Sequence, residues 1–280
     1  MQNDFKYLLT IHTELLVSCN RLIVSLKPSK AEIAAITDLL KNERRMHSND
    51  EIAYERHAVR NVGEGSLHIW GDPRYRRIPA LRYEFDPSVV RVASVKQFFD
   101  EVHPHLFRAT FSRGEVAQFN LAMDIFGHRF DDLLFYRKGI RMWNKFPTFP
   151  AIDLGDAVNA MQITALDMQY ALRRGPGNVL FDGNSVRVEF RLGKKTHIKK
   201  LAQEISDYAD TFFVGRIGSN ADATVRRCQD IGVNEVLKGM TPKDRAALMK
   251  KLQLIPFKEF IGSKNFHDGV ERVINQIQGK

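Results

Sequence analysis

Three short segments of this chain each carry a carboxylate among alternating apolar residues: Leu81-Arg82-Tyr83-Glu84-Phe85, Phe119-Asn120-Leu121-Ala122-Met123-Asp124-Ile125 and Val186-Arg187-Val188-Glu189-Phe190-Arg191. The period of two is that of a strand with one face on a core. The other face then holds Glu84 beside Arg82, Asp124 beside Asn120, and Glu189 between Arg187 and Arg191. As neighbours in one sheet, such strands gather acids and arginines on a single surface. Asp124 and Glu189 are candidate ligands for Mg²⁺ or Mn²⁺, since hard cations take one or two carboxylates plus substrate oxygens and need rigid ligands. A metal there would polarise a phosphodiester, with Arg187 and Arg191 neutralising the phosphate. The plainer expectation for each residue alone is an ion pair on a solvated face.

Other residue types widen the set. His103-Pro104-His105 sets two imidazoles around one residue, a spacing open to shared metal ligation and equally to two surface histidines near a helix end. Tyr170 is the candidate nucleophile, because a tyrosine can attack a phosphodiester that a metal has activated; an edge or buried tyrosine is the default. The run Lys194-Lys195-Thr196-His197-Ile198-Lys199-Lys200 is the densest basic cluster. Lys194, Lys195, Lys199 and Lys200, with Arg226 and Arg227 as a lesser pair, are candidate phosphate contacts that would add affinity without reading sequence. A solvated helix face is the alternative. Aromatics interleave poorly with these clusters, which weighs against a dedicated single-strand stacking groove. Asn61-Val62-Gly63-Glu64-Gly65 lacks a P-loop lysine.

The whole chain sets the partner class. Its 280 residues carry a net charge of +9, which favours a polyanion, nucleic acid before an acidic membrane surface. Residues 191–280 hold 17 Lys/Arg against 10 Asp/Glu, so most of the surplus sits in the last third. Only Cys19 and Cys228 are present, giving neither a disulfide framework nor zinc spacing. The apolar stretch from Tyr7 to Leu26 is broken by Glu14 and Arg21 and cannot span a bilayer as a helix. It also lacks a basic leader and a cleavage site, so the expected location is the cytoplasm.

The elements that must position these residues follow from local pattern. Residues 6–26 read as two strands or one buried helix. Ser29 and Glu32 have capping-box spacing ahead of an Ile33, Ile36, Leu39, Leu40 stripe. Residues 43–60 read as a loop, and 65–85 as strand, turn at Gly71-Asp72-Pro73, strand. Ser94–Val102 reads as a helix with Ser94 and Gln97 at capping spacing, Leu106–Phe111 as a strand, 130–145 as helical or mixed, and 146–155 as a loop. Residues 156–174 leave the element type open, a helix capped by Asp156 being one option, and Gly175-Pro176-Gly177 ends it. Helices follow at 195–208, 220–231, from Thr241-Pro242, and at 265–278. The expected fold is α+β: a mainly antiparallel sheet with flanking helices over residues 1–192, then a basic helical region over 193–280.

The order of these pieces resembles the rolling-circle replication initiators of the plasmid and filamentous-phage gene-two type. The likeness rests on Leu81-Arg82-Tyr83-Glu84-Phe85-Asp86-Pro87, then Gln118-Phe119-Asn120-Leu121-Ala122-Met123-Asp124, then Val186-Arg187-Val188-Glu189-Phe190-Arg191-Leu192, within residues 65–205. It implies a mainly antiparallel sheet, and origin nicking through a tyrosine with a divalent metal; related nickases use a His-hydrophobic-His pair, comparable to His103 and His105. The chain departs from the pattern. Gln118-Phe119-Asn120 stands where the family has Arg-Leu-Asp. No tyrosine falls at Ile152–Asp156, where the nucleophile strand is usual, and Leu166-Asp167-Met168 stands where Tyr-x-Lys follows. The leading expectation is a DNA-binding protein of a plasmid, phage or mobile element, nicking DNA if active. The alternative is a non-catalytic DNA-binding regulatory or phage-exclusion protein. The partner is DNA in both, no membrane is expected, and a homodimer is left open.

Overall fold

A computed structural model describes residues 15–42, 53–140, 143–146, 148–155, 161–170, 183–193 and 196–278. The protein is α+β, with a large, mainly antiparallel sheet and flanking helices. The chain forms two compact units. One comprises Ala122–Arg191 and Gln203–Val270 with the residues up to Val17; the other comprises Ser18–Leu121, Leu192–Ala202 and the residues from Glu271.

In the second unit, β1 (Leu15–Leu26) leads to α1 (Lys30–Leu40), the hairpin β2 (Tyr54–Val62) and β3 (Gly65–Pro73), and β4 (Leu81–Phe85). Helices α2 (Val92–Val102) and α3 (Leu106–Arg113) precede β5 (Glu115–Phe126), which runs on into the first unit. The strand order is β2-β3-β4-β1-β5, with the short β11 (Thr196–His197) antiparallel to β5. Ser29 caps α1: its hydroxyl accepts from the Glu32 amide at 3.4 Å, and the Glu32 carboxylate accepts from the Ser29 amide at 2.5 Å. The buried Ile36 and Leu40 of α1 lie over Gly71, where a Cβ would come within 2.3 Å of the Leu40 side chain. The core of this unit includes Leu22, Val24, Tyr83, Phe85, Val95 and Phe99, with the Tyr83 and Phe99 rings 4.9 Å apart.

In the first unit the strand order is β5, β10 (Ser185–Leu192), β9 (Met161–Asp167), β8 (Ala151–Gly155), β7 (Trp143–Lys145). A separate three-stranded sheet pairs β6 (Leu133–Arg137), β12 (Phe212–Arg216) and β13 (Ile255–Pro256). Around them pack α4 (Leu201–Ala209), α5 (Ala223–Ile231), α6 (Val233–Lys238), α7 (Pro242–Leu252), the single turn α8 (Phe257–Phe260) and α9 (Ser263–Ile277). Phe190, Phe212, Phe257 and Phe266 are fully buried, with the rings of Phe212 and Phe257 4.9 Å apart. A second cluster joins Leu134 to Val225, Cys228, Val233, Val236, Leu248 and Leu252. Thr241 caps α7, with Pro242 at its first position, as its sequence indicated.

Several local expectations are corrected. Tyr54–Val62, read as loop, is a strand closed against β3 by a two-residue turn, with Gly63 at φ +62 in its first position. Gly71-Asp72-Pro73 is therefore the end of β3, and the chain reverses beyond it. Helix α2 begins at Val92 behind Arg91, which makes no side-chain cap, so the Ser94/Gln97 pair does not start it. Leu106–Phe111 is helical: Leu106, Phe107 and Ala109 are buried, a spacing one helix face accommodates. Residues 151–155 form the fully buried β8 rather than a loop. Met161, Ile163 and Ala165 are buried at alternate positions, so the segment left open at 156–174 holds a strand over Met161–Asp167. Between 130 and 145 lie a short 3₁₀ turn, Phe130–Asp132, and strands β6 and β7.

Candidate functional site

The polar face of β5 and β10 is built by alternation. Met123 and Ile125, with Val188 and Phe190, turn to the core; Asp124, Arg187, Glu189 and Arg191 turn the other way. Arg187 donates from Nε to Asp124 Oδ1 at 2.7 Å and from its terminal nitrogen to Oδ2 at 2.8 Å, a bidentate fork across the two strands. Arg191 donates twice to Glu189 Oε2, at 3.0 and 2.7 Å, along the same strand. The acid side chains are 7% and 8% exposed, and the arginine side chains 24% and 34%. The four charges cancel, but the arginines are the more exposed members of the two pairs, held by the acids.

Both Asp124 oxygens and one Glu189 oxygen accept from guanidinium groups, and no cluster of three or more His, Cys, Asp or Glu side chains among the described residues is arranged to hold a metal. His103 ends α2, its Nδ1 3.0 Å from the Pro104 carbonyl, and His105 stands with φ +68 ahead of α3. The two therefore flank a helix–helix corner rather than a strand entrance. Tyr170 lies in a helical turn after β9; its hydroxyl donates to the Thr148 carbonyl and its ring stacks on Phe149 at 6.0 Å.

The basic candidates separate. Lys199 and Lys200 are exposed on a 3₁₀ turn, Ile198–Lys200, anchored by buried Ile198 and Leu201. Lys194 and Lys195 fall outside the described residues. Arg227 is exposed on α5, whereas Arg226 is turned back on the carbonyls of Ala221 and Ser219 at 3.2 and 3.0 Å. Arg82 and Glu84, the first of the acidic segments, serve another cluster: Arg21 pairs with Glu84 at 2.8 Å, and Arg82 lies 4.9 Å from the Trp70 ring.

Two groupings escape the sequence reading. His57 of β2 faces Trp70 of β3, with ring centroids 4.7 Å apart and planes within 13°, and its Nε2 is 3.1 Å from His68 Nδ1. In sequence the strand shows only apolar Tyr54, Ala58, Val59 and Val62 among polar and charged residues, a spacing without the period of two. The second grouping unites Arg108, Ser112 and Arg113 of α3 with Lys199, and is taken up below.

Fold and face together define an α+β protein whose sheet presents arginines over buried carboxylates. No family model matches the chain, and no curated protein does. Among solved structures, the rolling circle replication initiator protein from Geobacillus stearothermophilus aligns over 75% of this chain and 90% of its own, with 12% identity and a TM-score of 0.40. No helix among the described residues is long and apolar enough to cross a membrane.

Proposed function

We propose that this protein binds DNA, and that the β5/β10 face contributes phosphate contacts through Arg187 and Arg191. The observation that carries this reading is their placement: two guanidiniums, held by carboxylates on rigid strands and turned outward, on a chain of net charge +9. Fixed planar donors lose little freedom on meeting a phosphate. The three strand motifs resemble those of rolling-circle initiators, and the reading is a replication-initiator-like protein of a plasmid, phage or mobile element.

Within that reading both the nicking and the non-catalytic form stand, and they differ in what they ask of the site: Asp124 and Glu189 are engaged by arginines and the Tyr170 hydroxyl by a backbone carbonyl, contacts a non-catalytic binder would keep. The nickase form requires Arg187 and Arg191 to leave their carboxylates so that Mg²⁺ or Mn²⁺ can take their place, and Tyr170 to leave Thr148.

Incubation with supercoiled DNA carrying the native locus, with and without Mn²⁺, separates the two. A gel shift with no nicked circles under any metal supports the binder. Nicked circles with protein attached at a 5′ end, lost in Tyr170→Phe, support the enzyme. Absence of binding at low ionic strength removes both.

A further inference from the structure

A second cationic site lies in the other unit, away from Asp124 and Glu189. Helix α3 and the Ile198–Lys200 turn border an open cleft of about 400 Å³, lined by Glu32, His105, Arg108, Ser112, Arg113 and Lys199. The residues come from three stretches far apart in sequence, so their convergence is a product of the fold and not of a charged run on one helix. Leu106, Phe107 and Ala109 are buried under α3, while Arg108 and Ser112, four apart, share its outer side. Ile198 and Leu201, buried on either side of the lysines, fix the turn that carries Lys199.

The charge balance is uneven. Among the described residues neither Arg108 nor Lys199 takes part in an ion pair. Arg113 spends one terminal nitrogen on Glu32, at 2.7 and 2.9 Å, and its side chain stays 40% exposed. The cleft thus gathers three cations against one carboxylate, and that carboxylate is already committed to Arg113 and the Ser29 amide. Like charges in one concave site repel each other and are relieved by an anion.

We propose that this cleft is a phosphate-binding site and that its ligand is a phosphodiester of bound DNA, held chiefly by Arg108 and Lys199 with Arg113 as a third, partly neutralised donor. The proposal rests on the DNA-binding reading and adds to it a contact surface separate from Arg187 and Arg191. Because Arg108 and Lys199 have no ion-pair partner among the described residues, neutralising them leaves stability unchanged or slightly higher, while affinity falls.

Anisotropy of a labelled oligonucleotide, titrated with the full chain between about 50 and about 200 mM salt, tests this. Arg108→Ala with Lys199→Ala is expected to weaken binding about tenfold at the lower salt, to flatten the slope of log affinity against log salt by about 1 to 2, and to leave the thermal midpoint in place. Glu32→Gln keeps an amide at the capping position, removes the one negative charge, and is expected to tighten binding. Unchanged affinity and slope in the double variant, while substitutions at Arg187 and Arg191 still weaken binding, overturn the cleft and leave the function standing. Inorganic phosphate that binds the unsubstituted chain and not the double variant, with DNA affinity the same in both, overturns the phosphodiester assignment in favour of a free phosphate. No DNA binding by the unsubstituted chain overturns both readings together.

Discussion

Asp124 and Arg187 show how much one pair decides. Removing the acid takes two charge-assisted hydrogen bonds from Arg187, whose side chain is only 24% exposed. Breaking a fully buried pair from one side costs about 3–5 kcal/mol, and partial solvation of Arg187 lowers that. Asp124→Ala is therefore expected to lose about 2 kcal/mol in urea unfolding, whereas Asp124→Asn combined with Arg187→Gln, which keeps a neutral hydrogen bond, recovers most of it. Glu32 gives a pH signature. Burial raises its carboxyl, but hydrogen bonds from the Ser29 amide and the Arg113 guanidinium together outweigh burial and leave it below the ordinary carboxylate value. A lowered folded-state value stabilises above the unfolded value of about 4.3 and loses that stabilisation as the pH falls through the folded one. The stability gap between the unsubstituted protein and Glu32→Gln should accordingly be full at neutral pH and shrink in acid; a gap independent of pH down to acid unfolding would contradict the assignment.

At the scale of elements, close approaches matter more than propensity. Gly155 ends β8 with φ +97, and a Cβ there would sit 2.8 Å from the Met161 carbonyl and 2.7 Å from the Arg137 guanidinium. That guanidinium is buried, donates to the Met161 carbonyl at 2.7 Å and lies over the Tyr208 ring. Gly155→Ala combines a disfavoured backbone with a displaced buried charge, and is expected to cost at least about 2 kcal/mol, read as a lower denaturant midpoint. The same elements show what the sequence made legible. Capped helices α1 and α7 were plain, because Ser29/Glu32 and Thr241/Pro242 are local signals that need no tertiary partner. The strands at Leu81, Asp124 and Glu189 were plain too, through strict alternation. Strand β2 was not, since Glu55, Arg56, Arg60 and Asn61 hide its period and its pairing depends on β3. Helix α3 was mistaken for a strand because eight residues hold barely two turns, too few to establish a period. The Arg108–Lys199 cleft was invisible for the same reason: its members meet only after α3 has folded.

At the scale of the molecule, each compact unit carries one buried thiol, Cys19 in one and Cys228 in the other. Burial pushes both thiols upward, Cys228 to about 11, with Cys19 held well above the usual thiol range. Because the thiolate is the reactive species, neither should label with a disulfide reagent in the native state near pH 8, and both should on unfolding. Labelling of either thiol in the folded protein would show that its unit opens. Charge is the other whole-molecule property, and at +9 it alone would give unspecific, salt-sensitive attachment to DNA. The distinctive expectation is that particular arginines carry the contact.

The decisive experiment compares DNA affinity over a range of salt for the unsubstituted chain and for a variant with Asp124→Asn, Arg187→Gln, Glu189→Gln and Arg191→Gln. Two acids and two bases are lost together, so the net charge of +9 is unchanged while the guanidiniums and the carboxylates that hold them are removed. On duplex DNA the slope is expected to flatten by about 1.8, the equivalent of two phosphate contacts. An identical slope in a folded variant, or no binding by either protein at low salt, would contradict a DNA-contacting face on β5 and β10.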